Sequence, residues 1–303
     1  KKIQTPEVRE LVWALASPAL LYYNPERGRY HFLTQDWYTE QFELHQDWIL
    51  ELDEDPEPLL NHLHSEGKQL LGKRFEKLIS FWLQNSPHFD LLLQGQQLFE
   101  DKITKGEVDF LFKEKATGES FHLEVACKFY LSKNNSGQWK DFIGPNGKDT
   151  LALKMEKIHA QLDLLKTSIG QEFLKDQGLP TSLPILMLKG VLFYHYQDIL
   201  KAKPPKWHSP HYQTGWWMKA SEWGAMNSKH NQWIILEKQQ WLTMVHEELE
   251  ESNVLTGDEL GEVIHRHFKQ KNNRSLAVAQ IVNTGYCLDE VSRGFIVNNT
   301  WPL

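Results

Sequence analysis

The stretch FHLEVACKFYL, residues 121–131, alternates as a β-strand does, yet one of its faces carries Glu124 and Lys128. Successive strand side chains point to opposite sides. Phe121, Leu123, Val125, Cys127, Phe129 and Leu131 therefore share one face, and His122, Glu124, Ala126, Lys128 and Tyr130 share the other. A strand this apolar implies cover on both faces, where charge is expensive to bury. The competing reading is a solvated sheet face whose Asp, Glu and Lys form ordinary ion pairs.

The segment before it, GEVDFLFKE (106–114), has Val108, Phe110 and Phe112 on one face and Glu107, Asp109 and Leu111 on the other. The turn residues Ala-Thr-Gly-Glu join the two strands into a hairpin. Closing it around Thr117-Gly118, or around residues 116–119, sets Asp109 opposite Ala126 and Leu111 opposite Glu124. Asp109 then lies diagonally between Glu124 and Lys128, with Cβ separations of roughly 7–8 Å or less. A three-residue loop would break this parity. Two convergent carboxylates repel unless a cation or a proton sits between them. Hard oxygen ligands of this kind suit Mg²⁺ or Mn²⁺.

Working outward, EGKQLLGKRFEKLISFWLQN (66–85) has Leu71, Phe75, Leu78 and Trp82 at helical spacing. Glu76 lies beside that stripe, flanked at helical spacing by Gly72, Ile79 and Leu83. FDLLLQGQQLFE (89–100) reads as a strand. A loop rich in Asn and Gly (132–148) leads to DTLALKMEKIHAQLDLLKTSI, a helix of about five turns capped by Asp149 or Thr150. LPILMLKGVLFYHY (183–196) is a long strand. The order is helix, three strands, helix, strand. Residues 1–65 form an N-terminal helical region opened by PEVRELVWALASPALL, residues 66–200 the central unit, and residues 201–303 a Trp-rich C-terminal α/β extension.

This element order, with GEVDF followed by FHLEVACK, resembles the αβββαβ core of the PD-(D/E)XK, restriction-endonuclease-like nuclease superfamily. Residue by residue, the resemblance implies that Glu76 is the acid of the first helix, Asp109 the metal-binding Asp and Glu124 the acid of the D/E-X-K motif. The lysine departs from the pattern. The motif places it at position 126, where this chain has Ala126, and Lys128 comes one pleat later on the same face, roughly 6.6 Å along the strand. More narrowly, VRELVWAL, GKRFEKL, EVACKFYL and GPNGKDTLALK are similar to segments of an uncharacterised bacterial domain-of-unknown-function family, which brings no established activity.

The remaining features bound the function. The chain has 303 residues and a net charge of −7, which argues against a generally basic nucleic-acid coat but not against a local groove. Cys127 and Cys287 are its only cysteines, so no disulfide framework is implied, and a reducing, cytoplasmic setting is the simplest reading. No apolar run reaches membrane-spanning length, since Lys189 and Gly190 interrupt the longest. GPNGKDTLALK offers Lys148 and Lys154, with Gln161 further along the helix, as phosphate-facing groups. Trp139, Trp207, Trp216 and Trp217 invite base stacking, but packing is the stronger expectation. His62-X-His64, His208-X-X-His211 and His265-X-His267 lack a complete set of zinc partners and read as incidental.

The expectation is therefore a Mg²⁺- or Mn²⁺-dependent nuclease. Asp109 and Glu124 would hold the metal, Glu76 would support it or position water, and Lys128 would orient the nucleophile. The alternative is a catalytically silent nuclease-fold module that binds nucleic acid or a protein partner, or a structural protein with an ion-paired strand.

Overall fold

The computed structural model describes residues 3–22, 31–64, 70–226, 231–248, 253–270 and 274–302. The protein is mixed α/β. Its first half runs α1 (Pro6–Ala16), β1 (His31–Phe32), α2 (Gln35–Leu44), α3 (Gln46–Glu54), α4 (Glu57–His64), α5 (Leu71–Asn85), β2 (Phe89–Glu100), β3 (Ile103–Glu114) and β4 (Ser120–Ser132). There follow β5 (Phe142–Ile143), α6 (Leu151–Leu164), α7 (Ser168–Asp176), β6 (Leu183–His195), β7 (Gln213–Lys219), β8 (Gln232–Leu236) and β9 (His246–Glu248). The chain closes with β10 (Leu255–Thr256), α8 (Gly257–Lys269), β11 (Leu276–Asn283) and β12 (Cys287–Val297). Among the described residues, no helix is long and apolar enough to cross a membrane. Two compact units are formed, one from residues 1–128, 154–190 and 207–212, the other from 129–153, 191–206 and 213–303.

In the first unit the strands lie in the order β2-β3-β4-β6, with β1 parallel to β6. The apolar stripe of α5 buries Phe75, Leu78, Ile79 and Trp82. Its aromatic residues continue into the sheet. Trp82 meets Phe89 edge-on at 5.2 Å, Phe89 meets Phe112 at 5.1 Å, and Phe112 stacks on Phe121 at 5.3 Å. Full burial of each such ring contributes on the order of 1.5–3 kcal/mol. This chain of rings fixes α5, and with it Glu76, over β2 and β3. Leu98, Val108 and Leu111 pack instead against Leu164, Leu165 and Leu174 around α6 and α7. Leu111 pairs with His122, so directly opposed residues carry that cover onto the charged side of β4. The sequence question is thereby answered: from His122 to Cys127 every residue of β4 is buried.

Two other buried ionisable groups of this unit, Arg74 and Lys189, have polar partners. Arg74 of α5 donates from Nε to Glu10 of α1 at 2.6 Å, with both side chains 8% exposed. Lys189 is fully buried, donates to the carbonyl of Ser17 just past the end of α1, and sits 3.3 Å from the centre of the Tyr38 ring.

Two expectations need correction. The hairpin closes one residue earlier than expected, around 115–118. Glu114 and Glu119 pair through their backbones, and Gly118 donates back to the Glu114 carbonyl with φ +75°. A left-handed residue is needed at that point, and glycine takes it without steric penalty. The register slips by two, so Leu111 faces His122 rather than Glu124, and Phe110 faces Leu123. A slip of two preserves the facing of the paired residues, but Val108 leaves its expected face: it packs with Leu111 against α6 and α7 while Phe112 packs toward α5. The expected five-turn helix stops at Leu164, because Thr167 starts a new one by accepting from Gly170 N–H at 3.2 Å. Of the stretch expected to open α5, residues 66–69 lie outside the described residues.

The second unit has the strand order β6-β7-β12-β11-β8-β10, with β9 added to β12. Thr256 and Glu259 form a reciprocal cap that starts α8. Leu260 and Ile264 of that helix pack on Trp216, Trp223, Trp233, Val278 and Ile296.

Candidate functional site

One step past the last ladder pair of the β3–β4 hairpin, Asp109 meets Glu124, and side chains take over from the backbone ladder. Val125 N–H donates to Asp109 Oδ2 at 2.9 Å, and Asp109 N–H approaches Glu124 Oε1 at 3.4 Å. Each carboxylate thus occupies the place of a carbonyl on the opposing strand. His122 lies 3.0 Å from the same Glu124 oxygen through Nε2. The slip in register makes this pair closer than the diagonal placement expected.

Burial and mutual repulsion act together here. Asp109 is pushed up to about 8, first by burial and then by the Glu124 charge, against the Val125 N–H and Lys154. Glu124 is likewise pushed up to about 8 by burial, opposed by hydrogen bonds from Asp109 and by Lys154. His122 is driven down to about 4 by burial, so it is neutral at pH 7 and shares one hydrogen bond with Glu124 through Nε2. A carboxylate pair raised in this way has a deficit of positive charge. A proton or a cation fills such a deficit.

Asp109 opens toward α5. A cavity of about 170 Å³ is lined by Lys73, Glu76, Lys77, Gln94, Gly95, Glu107, Asp109 and Phe110. Glu76 therefore faces the same space as Asp109. Lys73 contacts Glu76 at 2.5 Å and Glu107 at 3.8 Å, and its pKa is raised chiefly by the bond to Glu76. The carboxylates Glu76, Asp109 and Glu124 do not gather three oxygens within 4.8 Å of one another.

The other expected residues fall as follows. Lys154 is half-buried on α6 and is the cation whose charge reaches both Asp109 and Glu124. Gln161 is half-buried further along α6. Lys128 is half-buried on β4 where Gly190 of β6 comes close, and it is not among the groups lining the cavity. Lys148 is exposed and belongs to the second unit. Trp216 and Trp217 are buried, and Trp139 donates to the Lys206 carbonyl at 2.9 Å, in line with packing rather than stacking.

Sequence reasoning passed over Lys73, Glu107 and His122. Lys73 stands i, i+3 from Glu76 on α5, a spacing that carries no local signal of a site, and only the fold brings Glu107 beside it. His122 sat two residues before Glu124 on the same face and could have been found by that alternation.

The donor set fits a hard divalent cation. Asp109 and Glu124 face each other, Glu76 and Glu107 line the adjoining space, and all offer carboxylate oxygen. No curated protein and no solved structure matches the chain. A family model described as Domain of unknown function (DUF1853) matches residues 9–297, and the chain belongs to that family.

Proposed function

We propose that this protein is a Mg²⁺- or Mn²⁺-dependent hydrolase of DNA or RNA phosphodiesters with a PD-(D/E)XK-like site. The observation that carries the reading is the buried Asp109–Glu124 pair, each carboxyl raised to about 8 beside a cavity that holds Glu76. The order α5, β2, β3, β4, α6, β6, with the short β5 and α7 inserted, supports a restriction-endonuclease-like core. Asp109 and Glu124 would hold the metal, which when bound stabilises charge developing on the phosphodiester and acidifies water. Glu76 lines the same cavity and would support the metal or orient water there. His122 holds the Glu124 carboxyl group in place through Nε2. Lys154 supplies the cation beside the pair, and Lys128, expected to orient the nucleophile, does not line the cavity.

Ala126, 6% exposed, stands where the motif expects its lysine, and this favours a second reading as a silent module that binds nucleic acid or a protein partner. Incubation with single- and double-stranded DNA and RNA separates the two. Hydrolysis is expected with Mg²⁺ or Mn²⁺, and none with EDTA or in Asp109→Ala and Glu124→Ala. Cleavage that persists in EDTA sinks the metal mechanism, and binding without cleavage under every metal favours the silent module.

A further inference from the structure

A different set of ligand-type side chains converges in the second unit. His246 of β9 pairs directly with Asp289 of β12, and Cys287 precedes Asp289 by two residues on the same strand. Direct cross-strand partners and i, i+2 neighbours all point to one side of a sheet, so this register places His, Asp and Cys on one face. Their ligand atoms lie within 4.8 Å of one another. His246 Nδ1 is 2.6 Å from Asp289 Oδ1. All three residues are half-buried, within reach of an ion from solution.

The surrounding structure fixes these side chains. On the opposite side of β12, Arg293 binds Glu290 through Nε at 2.5 Å and the Trp241 carbonyl through Nη1 at 2.6 Å. Glu290 Oε2 accepts from Val245 N–H at 2.9 Å, and Glu290 N–H donates to the Val245 carbonyl at 3.0 Å. The segment leading into His246 is therefore pinned by a buried charge pair. Thr284 brings its hydroxyl to 3.4 Å from Cys287 Sγ, the position of an outer-sphere hydrogen bond to a ligating sulfur.

We propose that His246, Cys287 and Asp289 form a binding site for a borderline-soft divalent transition-metal ion of the Zn²⁺ type. Imidazole, thiolate and carboxylate together suit Zn²⁺ and Co²⁺ and are a poor set for Mg²⁺ or Ca²⁺. Three protein ligands leave one tetrahedral position for water or another ligand. Binding needs His246 Nδ1 free of a proton, with any ring proton on Nε2, and Cys287 as thiolate, so ligand protons compete with the ion and affinity rises with pH. The His–Asp separation need only open to roughly 3.3 Å to bridge a tetrahedral ion with bonds of about 2.0–2.1 Å, a small side-chain rotation. The ion would clip β9 to β12.

The test uses the full chain stripped of metal by chelator dialysis, titrated with Co²⁺ and then Zn²⁺. One equivalent of Co²⁺ is expected to give a sulfur-to-cobalt charge-transfer absorption that Zn²⁺ abolishes, with a higher melting temperature in Zn²⁺. Cys287→Ser is expected to lose that absorption while keeping a wild-type circular dichroism spectrum. His246→Ala and Asp289→Asn are expected to weaken Zn²⁺ binding by about tenfold or more. The absorption is expected to survive in an Asp109→Asn, Glu124→Gln background, which separates this site from the carboxylate pair. Absence of a sulfur band, its survival in Cys287→Ser, or unchanged Zn²⁺ affinity in Asp289→Asn would overturn the proposal, the last showing His246–Asp289 to be a plain ion pair.

Discussion

Asp109 and Glu124 lock two antiparallel strands together through side chains: Asp109 accepts from Val125 N–H at 2.9 Å while Asp109 N–H approaches Glu124 Oε1 at 3.4 Å. Two carboxylates are thereby held at one point of a covered sheet, and their behaviour with pH follows. Folding raises Asp109 from 3.8 to about 8 and Glu124 from 4.5 to about 8. The folded protein retains protons that the unfolded chain releases, so this pair makes stability fall as pH rises from about 4 to about 8. His122, lowered from 6.5 to about 4, acts in the opposite sense, removing stability as pH falls below 6.5. Between pH 6.5 and 8 the carboxylates act without it. Asp109→Asn keeps an oxygen for Val125 N–H and removes the repulsion. Its melting temperature is expected to gain on wild type steadily across that window, and Mn²⁺ is expected to raise the wild-type value alone. Parallel melting curves would contradict the raised values.

Lys154 lowers both carboxyls, so its removal separates binding from chemistry. Lys154→Met is expected to reduce cleavage by about 10²-fold, the usual loss for one group aligned on developing charge. Mn²⁺ affinity is expected to hold or improve, because a competing cation has gone. Initial rates and a Mn²⁺ titration on the same preparation read both effects. Weaker Mn²⁺ binding, or unchanged cleavage, would remove Lys154 from this role.

Gly190 of β6 lies directly against the backbone of β4 at Lys128. Its φ is +146°, and a Cβ there would fall 1.7 Å from the Lys128 carbonyl oxygen. Gly190→Ala must move backbone as well as relieve an unfavourable conformation, and a loss of at least about 2 kcal/mol is expected. Denaturant unfolding measures it. A variant as stable as wild type would show that β4 and β6 are not placed as described.

Trp233 tests packing against stacking. It is fully buried, 5.9 Å from the Trp216 ring and 5.0 Å from Trp223. Trp233→Ala is expected to cost about 3–5 kcal/mol, with nucleic-acid affinity unchanged at temperatures where the variant is folded. A selective loss of affinity without loss of stability would contradict a packing role for Trp233.

The residues that made the fold legible were those with strong local signals. FDLLLQGQQLFE forms β2 over the span read from it, and the alternation of FHLEVACKFYL extends by one residue at each end into β4. The same alternation put Asp109 and Glu124 on one face. The exact register escaped, because it depends on which turn residue takes the left-handed conformation, and Gly118 does so as the last residue of the loop. The break after Leu164 escaped because Leu164, Leu165 and Ile169 keep a helical apolar rhythm across it, while Thr167 starts the next helix. Lys73 and Glu107 became visible only once α5 was set over β3, a contact between segments that no local pattern records. The His246–Cys287–Asp289 group has the same origin, since its members come together through pairing of β9 with β12.

Binding of Mn²⁺ at the carboxylate pair is the most direct measurement. Free Mn²⁺ would be followed by electron paramagnetic resonance in a Cys287→Ser background, which excludes the thiolate site. One ion is expected to bind the parent, and Asp109→Asn or Glu124→Gln is expected to weaken it by about tenfold or more. Equal Mn²⁺ binding in parent and variants, or none in the parent, would contradict a cation site at Asp109 and Glu124.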